Sequence, residues 1–327
     1  MSDMIGLFAL KLAMQELFEM DDKIVAVGED IGPHGGAWAY FDGLFARYGR
    51  DRVIQTPISE NGYAGFANGM AYGGFRPIVE FMYADFGALA FDSIVNMAAK
   101  ARFNSNGKLN LPITYIFPEG SGSQSGSQHT QHVEAWFANV PGLKIVAPTT
   151  PADLRYFLKA AVLDDDPVLF IFSRLSAMRG KGSVDENDKS VPPLTNAARV
   201  VKEGSGLTVV AWHRCLIHAK DAAQDVEAAT GKTVEIIDPR VLAPLDLETI
   251  LVSVRKTGRV LVAHDAPERG SWAALISGLI SENAFESLKK PVARIGGLNM
   301  CTPPGALEEC ALPQKGDIKA AMLKLLS

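Results

Sequence analysis

Cysteine is scarce in this sequence, with three residues among 327. Cys215, Cys301 and Cys310 lie far apart or outside any spacing that is typical of metal ligands. Such an odd, sparse set predicts reduced thiols in a cytosol-like compartment, with packing in the protein core as their role.

Long apolar runs and an excess of positive charge are also missing. No apolar stretch approaches the roughly 18 residues that a membrane span requires. The formal net charge of −5 gives neither the basic footprint of a nucleic-acid-binding protein nor a polybasic membrane patch. The sequence therefore predicts no nucleic-acid partner and no membrane partner.

The first twenty residues are typical of a helix rather than of a signal peptide. Apolar residues recur at helical spacing between positions 7 and 18, and Lys11, Glu16 and Glu19 lie among them. This pattern predicts an amphipathic first helix that is part of the fold. A start at Met1 without a leader predicts a cytoplasmic protein, most simply a bacterial one.

The length and the composition predict two folded domains. Hydrophobic residues make up 47% of the chain and charged residues 21%, which is ordinary for a folded protein, and domains usually hold about 100–200 residues. Between positions 179 and 198 the composition changes to Lys, Gly, Ser, acidic residues and a Pro-Pro pair. We therefore predict a first domain at 1–178, a linker at 179–198 and a second domain at 199–327.

Short apolar strands alternate with helical segments in both predicted domains. In the first, the pattern predicts strands near 24–27, 77–81 and 112–117, and helices near 59–72 and 86–102. Strands separated by helices are typical of parallel sheets that are covered on both faces. The expected fold class is α/β, with a largely parallel sheet flanked by helices in each domain.

Polar residues that follow predicted strands are the first candidates for chemistry, because ligands of α/β sheets bind beyond the carboxyl ends of the strands. Glu29, Glu60, the segment 82–86 and the loop 119–132 occupy such places. Glu60 has two interpretations that the residues alone leave open. It is either a helix-capping carboxylate favoured by the helix dipole or a functional group.

The loop that precedes position 132 alternates Gly with Ser and Gln and ends in two histidines, His129 and His132. A His-x-x-His pair could bind a metal, but no nearby Cys or carboxylate clearly completes a ligand set. A histidine that a flexible loop delivers as a general acid or base is the favoured interpretation.

These positions carry a resemblance to the β subunits of thiamine-diphosphate-dependent 2-oxoacid dehydrogenases, a transketolase-like family that includes pyruvate, branched-chain and acetoin dehydrogenases. The matching stretches run in family order over nearly the whole chain. They are 27–30 (VGED), 52–60 (RVIQTPISE), 74–82 (GFRPIVEFM), 91–96 (FDSIVN), 128–131 (QHTQ), 141–146 (PGLKIV) and 238–246 (DPRVLAPLD). Each stretch is weak alone, and the ordered set is strong.

The resemblance implies that the first domain binds the pyrimidine of thiamine diphosphate and that the second is a transketolase C-terminal-like domain. Glu60 matches the Glu that hydrogen-bonds the aminopyrimidine ring, and Glu29 matches a carboxylate that lines the same site. His129 matches the His over the thiazolium and the substrate. The residues that match the apolar wall of the pyrimidine pocket are Ile58, Met82 and Phe86.

The resemblance also implies a structural potassium site and partner proteins. Ile113, Ala161, Asp164 and Asp166 match the potassium site, although the acidic run at 164–166 is also typical of a solvated helix end. The Gly-Asp-Gly motif with which the family holds Mg²⁺ and the diphosphate is missing from this sequence. An α subunit is therefore expected to supply it in an α₂β₂ tetramer, and a lipoyl acyltransferase is expected to accept the acyl group.

The sequence departs from the family pattern near the substrate. Trp38 and Tyr40 lie where a Gly-Gly-Val-Phe type of stretch is usual, and Ser173-Arg174 replaces the expected Glu after a strand. Oxidative decarboxylation of a 2-oxo acid is the predicted reaction. The alternatives are an acetoin- or acyloin-cleaving β subunit, half of a split transketolase, and a non-catalytic paralogue.

Overall fold

The computed structural model describes residues 2–122, 124–191 and 193–327. Met1, Ser123 of the Gly/Ser loop and Pro192 of the predicted linker lie outside the described residues. The chain divides into two compact units. The first contains Met1–Glu119 and Trp136–Thr195, and the second contains Gly120–Ala135 and Asn196–Ser327.

The first unit is built on a parallel sheet. Its six strands lie in the order β6-β7-β5-β4-β2-β3, all parallel to their neighbours. Outside this sheet, β1 and β8 form an antiparallel pair. The elements are β1 (Ser2–Ile5), α1 (Gly6–Met20), β2 (Ile24–Glu29), α2 (Leu44–Tyr48), β3 (Val53–Thr56), α3 (Glu60–Tyr72), β4 (Arg76–Glu80), α4 (Ala101–Asn104), β5 (Thr114–Glu119), β6 (Lys144–Val146), α5 (Pro151–Leu163), β7 (Val168–Ser173), α6 (Arg174–Arg179) and β8 (Lys181–Val184).

The second unit is also an α/β unit. Its sheet has the order β14-β13-β10-β11-β9, in which only β9 runs antiparallel to its neighbour. Its elements are β9 (Arg199–Lys202), β10 (Leu207–Ala211), α7 (His213–Thr230), β11 (Val234–Asp238), β12 (Val241–Ala243), α8 (Leu247–Thr257), β13 (Val260–Pro267), α9 (Trp272–Ala284), β14 (Ala293–Gly297) and α10 (Lys315–Leu326). The predicted fold class is therefore confirmed.

Local sequence signals account for several of these elements. The strands β5 and β7 are buried at every residue, as expected for parallel strands that are covered on both faces. The helix α5 begins after Thr150, whose hydroxyl accepts the Asp153 N–H at 3.2 Å, and Pro151 occupies its first turn. The helix α8 ends at Gly258, which takes the left-handed conformation with φ 70°.

Two expectations need correction. The long helix predicted at 86–102 is instead a 3₁₀ turn at Ala84–Ala88, a π-helical turn at Ser93–Ala98 and the short α4. The predicted limits of the two domains and of the linker at 179–198 stay predictions, and β8 lies within that linker segment. Cys301 and Cys310 are exposed thiols, so only Cys215 has the predicted core position.

None of the helices in the described parts of the chain combines the length and the apolar character needed to cross a bilayer.

A buried ion cluster joins α1 to α5 in the first unit. The Glu16 carboxylate is 6% exposed and lies 2.7 Å from the Arg155 guanidinium and 3.0 Å from the Lys159 ammonium. Lys189 adds a third contact at 3.0 Å from the solvent side. Burial raises the pKa of Glu16, but the hydrogen bonds from these three cations outweigh it, and the net effect is a lowered pKa. Removing the carboxylate would leave two cations buried without their anion.

We expect Glu16→Ala to lower the free energy of unfolding by about 3–5 kcal/mol, which is typical of breaking a buried ion pair from one side. Glu19→Ala on the same helix is the matched control, because Glu19 forms an exposed pair with Arg47 that is worth about 0–1 kcal/mol. Urea unfolding at pH 7 measures both. Equal midpoints for the two variants would show that the cluster does not stabilise the unit.

Candidate active site

Three glutamates lie at one edge of the parallel sheet in the first unit. Glu29 ends β2, Glu80 ends β4, and Glu60 begins the helix that follows β3. These strands are neighbours, with Glu29 paired in register to Thr56 and Gly28 to Glu80. The sheet therefore brings together two residues predicted from the sequence, Glu29 and Glu60, and adds a third carboxyl group that was not predicted.

The carboxyl groups share one electrostatic environment. Burial raises the pKa of Glu29, and the nearby carboxylates of Glu60 and Asp30 raise it further. Burial also raises the pKa of Tyr63, and Glu60, Glu29 and Glu80 add to that rise. Glu60 is only 5% exposed, so it is largely screened from water. A carboxylate in such surroundings favours a ligand group that is cationic or that donates a hydrogen bond.

Glu80 was missed by the sequence analysis. It is 2% exposed, and burial raises its pKa to about 8, with Glu29 and Asp30 adding to the rise and Tyr40 opposing it. At pH 7 the group is therefore mainly protonated. The sequence feature that could have identified Glu80 is a charged residue directly after the apolar run 77–79 of a buried strand. The sequence alone, however, does not show which strand ends are shielded from water.

The predicted apolar wall lies beside this edge. Met82 and Phe86 are half-buried, and Ile58 is 76% exposed. The Met82 carbonyl accepts the Trp38 indole N–H at 2.8 Å. Tyr83 packs edge-to-face on both Trp38 and Phe86, with ring centres 5.6 and 5.8 Å apart. Trp38, one of the departures from the family pattern, thus holds the wall in place.

Arg174, the second departure, lies in the same wall. Its side chain is fully buried, and its guanidinium carbon lies 5.5 Å from the Trp38 ring and 4.9 Å from the Tyr83 ring. Its Nε donates to the Glu119 carbonyl at 3.4 Å. Stacking of a guanidinium on aromatic faces is favourable when both are desolvated, so Arg174 stabilises the aromatic group.

His129 belongs to the second unit, in a compact loop. Its N–H donates to the Gly126 carbonyl at 3.2 Å, and the Gly120 N–H donates to the Gln131 carbonyl at 3.1 Å, which closes the loop at its base. The imidazole of His129 is half-buried. His132 is buried and packs edge-to-face on His264 with ring centres 5.1 Å apart.

The residues predicted as a potassium site are close together in the first unit, but their carboxylates already have cations beside them. Asp164 lies 2.7 Å from the Lys144 ammonium, and Asp166 lies 2.5 Å from Arg102. The carbonyls of Ala161 and Ile113 accept backbone N–H groups, from Asp164 and Val168 respectively. Backbone carbonyl lone pairs, rather than the carboxylates, are the oxygen ligands left for a potassium ion.

The comparisons with known proteins agree over nearly the whole chain. Residues 7–179 match the family model for the transketolase pyrimidine binding domain, and residues 196–318 match the model for the transketolase C-terminal domain. The 2-oxoisovalerate dehydrogenase subunit beta of Bacillus subtilis (strain 168) is 38% identical over 327 residues, which cover 99% of each chain.

Several relatives carry the name pyruvate dehydrogenase E1 component subunit beta, including a protein of Leifsonia xyli subsp. xyli and one of Arabidopsis thaliana. The protein of Leifsonia xyli subsp. xyli is 37% identical over 93% of this chain and 89% of its own. The mitochondrial beta-1 subunit of Arabidopsis thaliana is 39% identical over 96% of this chain and 86% of its own. A solved structure titled "Split gene transketolase, inactive beta4 tetramer" has a TM-score of 0.79 at 24% identity, covering 99% of this chain and 98% of that one. At that identity it shows the fold alone.

Replacing Glu80 by Gln should change how stability depends on pH. A free Glu ionises near pH ~4.3, whereas folded Glu80 holds its proton to about 8. Between these values the folded state binds a proton that the unfolded chain has released, so the stability of the wild type falls as the pH rises, by at most about 1.4 kcal/mol per pH unit.

Glu80→Gln has no such titrating group. Its free energy of unfolding, measured relative to that of the wild type, should therefore rise as the pH is raised from 5 to 8. Urea unfolding at several pH values measures the difference, with Glu19→Gln, an exposed glutamate, as the control. A constant difference over this range would contradict the assignment of a protonated Glu80.

Proposed function

This chain belongs to the family of 2-oxoacid dehydrogenase E1 β subunits, and we propose that it is the β half of a thiamine-diphosphate-dependent decarboxylase that passes an acyl group to lipoamide. The relatives confirm the resemblance drawn from the sequence. The observation that carries the proposal is the buried Glu60 at the start of α3, whose carboxylate is near enough to Glu29 to raise the pKa of that group.

The residues of the first unit fit an aminopyrimidine ring. The buried Glu60 carboxylate is available to accept a hydrogen bond from a ring nitrogen, and a carboxylate in a dry pocket stabilises positive charge on its partner. Ile58, Met82 and Phe86 supply apolar surface for the two faces of the ring. When bound, thiamine diphosphate would supply the nucleophile for decarboxylation of the 2-oxo acid, and these residues would hold its aminopyrimidine ring.

The proposed roles of this chain's own side chains are to position the cofactor ring and to move protons. Glu60 would hold the aminopyrimidine in the form that takes up a proton, and Glu29, whose pKa burial raises, would line the same site. His129 would move a proton at the substrate, a role to which a histidine is suited near neutral pH. The aromatic group of Trp38, Tyr83 and Phe86 excludes water from the wall of the pocket.

The partners and the remaining groups are part of the proposal. An α subunit would supply the Mg²⁺ and the diphosphate site, because this sequence has no Gly-Asp-Gly motif, and would assemble with this chain as α₂β₂. A lipoyl acyltransferase would receive the acyl group. Potassium would bind carbonyl oxygens at Ile113, Ala161, Asp164 and Asp166. Bacterial relatives support a cytoplasmic location in a bacterium.

We expect Glu60→Gln to reduce turnover of the reconstituted αβ complex by about 10²–10³-fold, because a neutral amide does not stabilise a charged aminopyrimidine. Hydrogen–deuterium exchange at the thiazolium carbon, followed by NMR after acid quench, should slow in parallel. Glu19→Gln is the control for the loss of an exposed carboxylate. Exchange at the wild-type rate in the Glu60 variant would show that Glu60 does not activate the cofactor.

A further inference from the structure

The second unit contains a buried polar cluster that the proposed function leaves unexplained. Glu134 comes from the segment that also carries His129, and it is 1% exposed. Its carboxylate accepts the Trp212 indole N–H at 3.2 Å and lies 3.1 Å from Nε2 of His264. Its backbone carbonyl accepts the Trp272 indole N–H at 3.0 Å. One residue of the loop segment is thus bound by three aromatic side chains of the domain.

The cluster could be interpreted as a metal site, but its hydrogen bonds argue against that. His132, Glu134 and His264 each place a ligand atom within 4.8 Å of the others, and two His with a carboxylate suit zinc. However, the Ala266 N–H donates to Nδ1 of His264 at 3.2 Å. A neutral ring that accepts at Nδ1 carries its proton on Nε2, which faces Glu134. Metal binding through Nε2 would require the removal of that proton.

The same geometry places Nε2 of His264 beside the Glu134 carboxylate, at 3.1 Å. The His264 ring lies flat on Trp212, with centres 4.1 Å apart and planes at 15°, and His132 packs against its edge. These contacts fix the direction in which Nε2 points. His213 next to Trp212 is also buried and has φ 52°, a left-handed conformation that is uncommon for a residue with a side chain. This strained backbone conformation lies next to the cluster, and such strain is common beside functional groups.

A second set of contacts fixes the far side of the loop. The Glu308 carboxylate, which is 1% exposed, accepts the Gly122 N–H, and the Gly305 N–H donates to the Gln124 carbonyl at 3.2 Å. Between the two sets, the Thr130 hydroxyl donates to the Gly126 carbonyl at 2.8 Å. His129 therefore lies in a short stretch that is bound at both ends to the second unit.

We propose that His264 and Trp212 are positioning residues, which hold the Glu134 carboxylate and thereby the place of the loop that presents His129. This inference rests on the proposed function of His129. Displacement of a reacting group by about 1 Å can cost a factor of up to about 100 in rate, so the loss of one anchor should slow turnover without unfolding the unit.

A pair of substitutions at His264 separates this role from general packing. Gln places an amide nitrogen near the position of Nε2 and keeps a polar group in contact with Glu134. Asn reaches only the position of Nδ1, so it keeps the bond from Ala266 but loses the contact with Glu134. We expect His264→Asn to lower the turnover of the αβ complex about 10- to 100-fold and His264→Gln to stay within a few-fold of the wild type.

Two further readouts locate the effect. Exchange at the thiazolium carbon depends on Glu60 in the first unit, so it should keep the wild-type rate in His264→Asn. Backbone amide exchange in residues 124–131, followed by mass spectrometry, should become faster, while β10 and β13 stay protected. Trp212→Phe, which keeps the stacking but removes the indole donor, should act in the same direction.

His218→Asn is the matched control, because this half-buried histidine of the same unit accepts a hydrogen bond from Arg214 and does not contact Glu134. Wild-type turnover and loop exchange in His264→Asn would overturn the proposal, as would equal losses in the Gln and Asn variants. Loss of thiazolium exchange together with turnover in His264→Asn would also overturn it. Absence of thiazolium exchange in the wild-type complex would instead refute the proposed function. Amide exchange in residues 124–131 would still show whether His264 holds the loop in place.

Discussion

Burying several carboxyl groups at one edge of a sheet is the constraint that the candidate site must satisfy. Three parallel strands end side by side, and their ends or the helix that follows carry Glu29, Glu60 and Glu80. Carboxylates that are kept from water repel one another, and burial together with this repulsion raises the pKa of a carboxyl group. The pKa of Glu80 rises to about 8 and that of Glu29 is also raised. A pocket of this kind stabilises a ligand that brings positive charge or donates a proton.

The position of Glu29 and Glu60 at the carboxyl ends of the strands could be predicted from the sequence. The burial and the protonation of the carboxyl groups could not. The alternation of strands and helices places Glu29 and Glu60 at carboxyl ends, and cap signals such as Thr150 mark helix starts at the right residue. The protonation of Glu80 depends first on its burial, which Tyr40 opposes and Glu29 and Asp30 reinforce, and these residues are distant in sequence. Apolar spacing at 86–102 predicts one helix, but the segment breaks into three turns. Periodicity alone does not contain the packing that favours such a break.

The attribution of segment 120–135 to the second unit was also beyond sequence reasoning. The Gly and Ser residues of this loop predict mobility, yet its ends are bound through Glu134, Gly122 and Gln124. Those contacts come from residues more than 70 positions away, so no local pattern predicts them. Fixation of the loop at its ends suits a histidine that must meet the substrate in one orientation.

In the proposed function this chain holds half of a cofactor site, with a carboxylate and an apolar wall for the pyrimidine, and the partner subunit supplies the diphosphate site. Calorimetric titration of thiamine diphosphate at millimolar Mg²⁺ tests this division of the site, first with the isolated chain and then with the αβ complex. We expect no resolvable binding to the chain alone and tight binding to the complex. Tight, Mg²⁺-dependent binding to the isolated chain would contradict it.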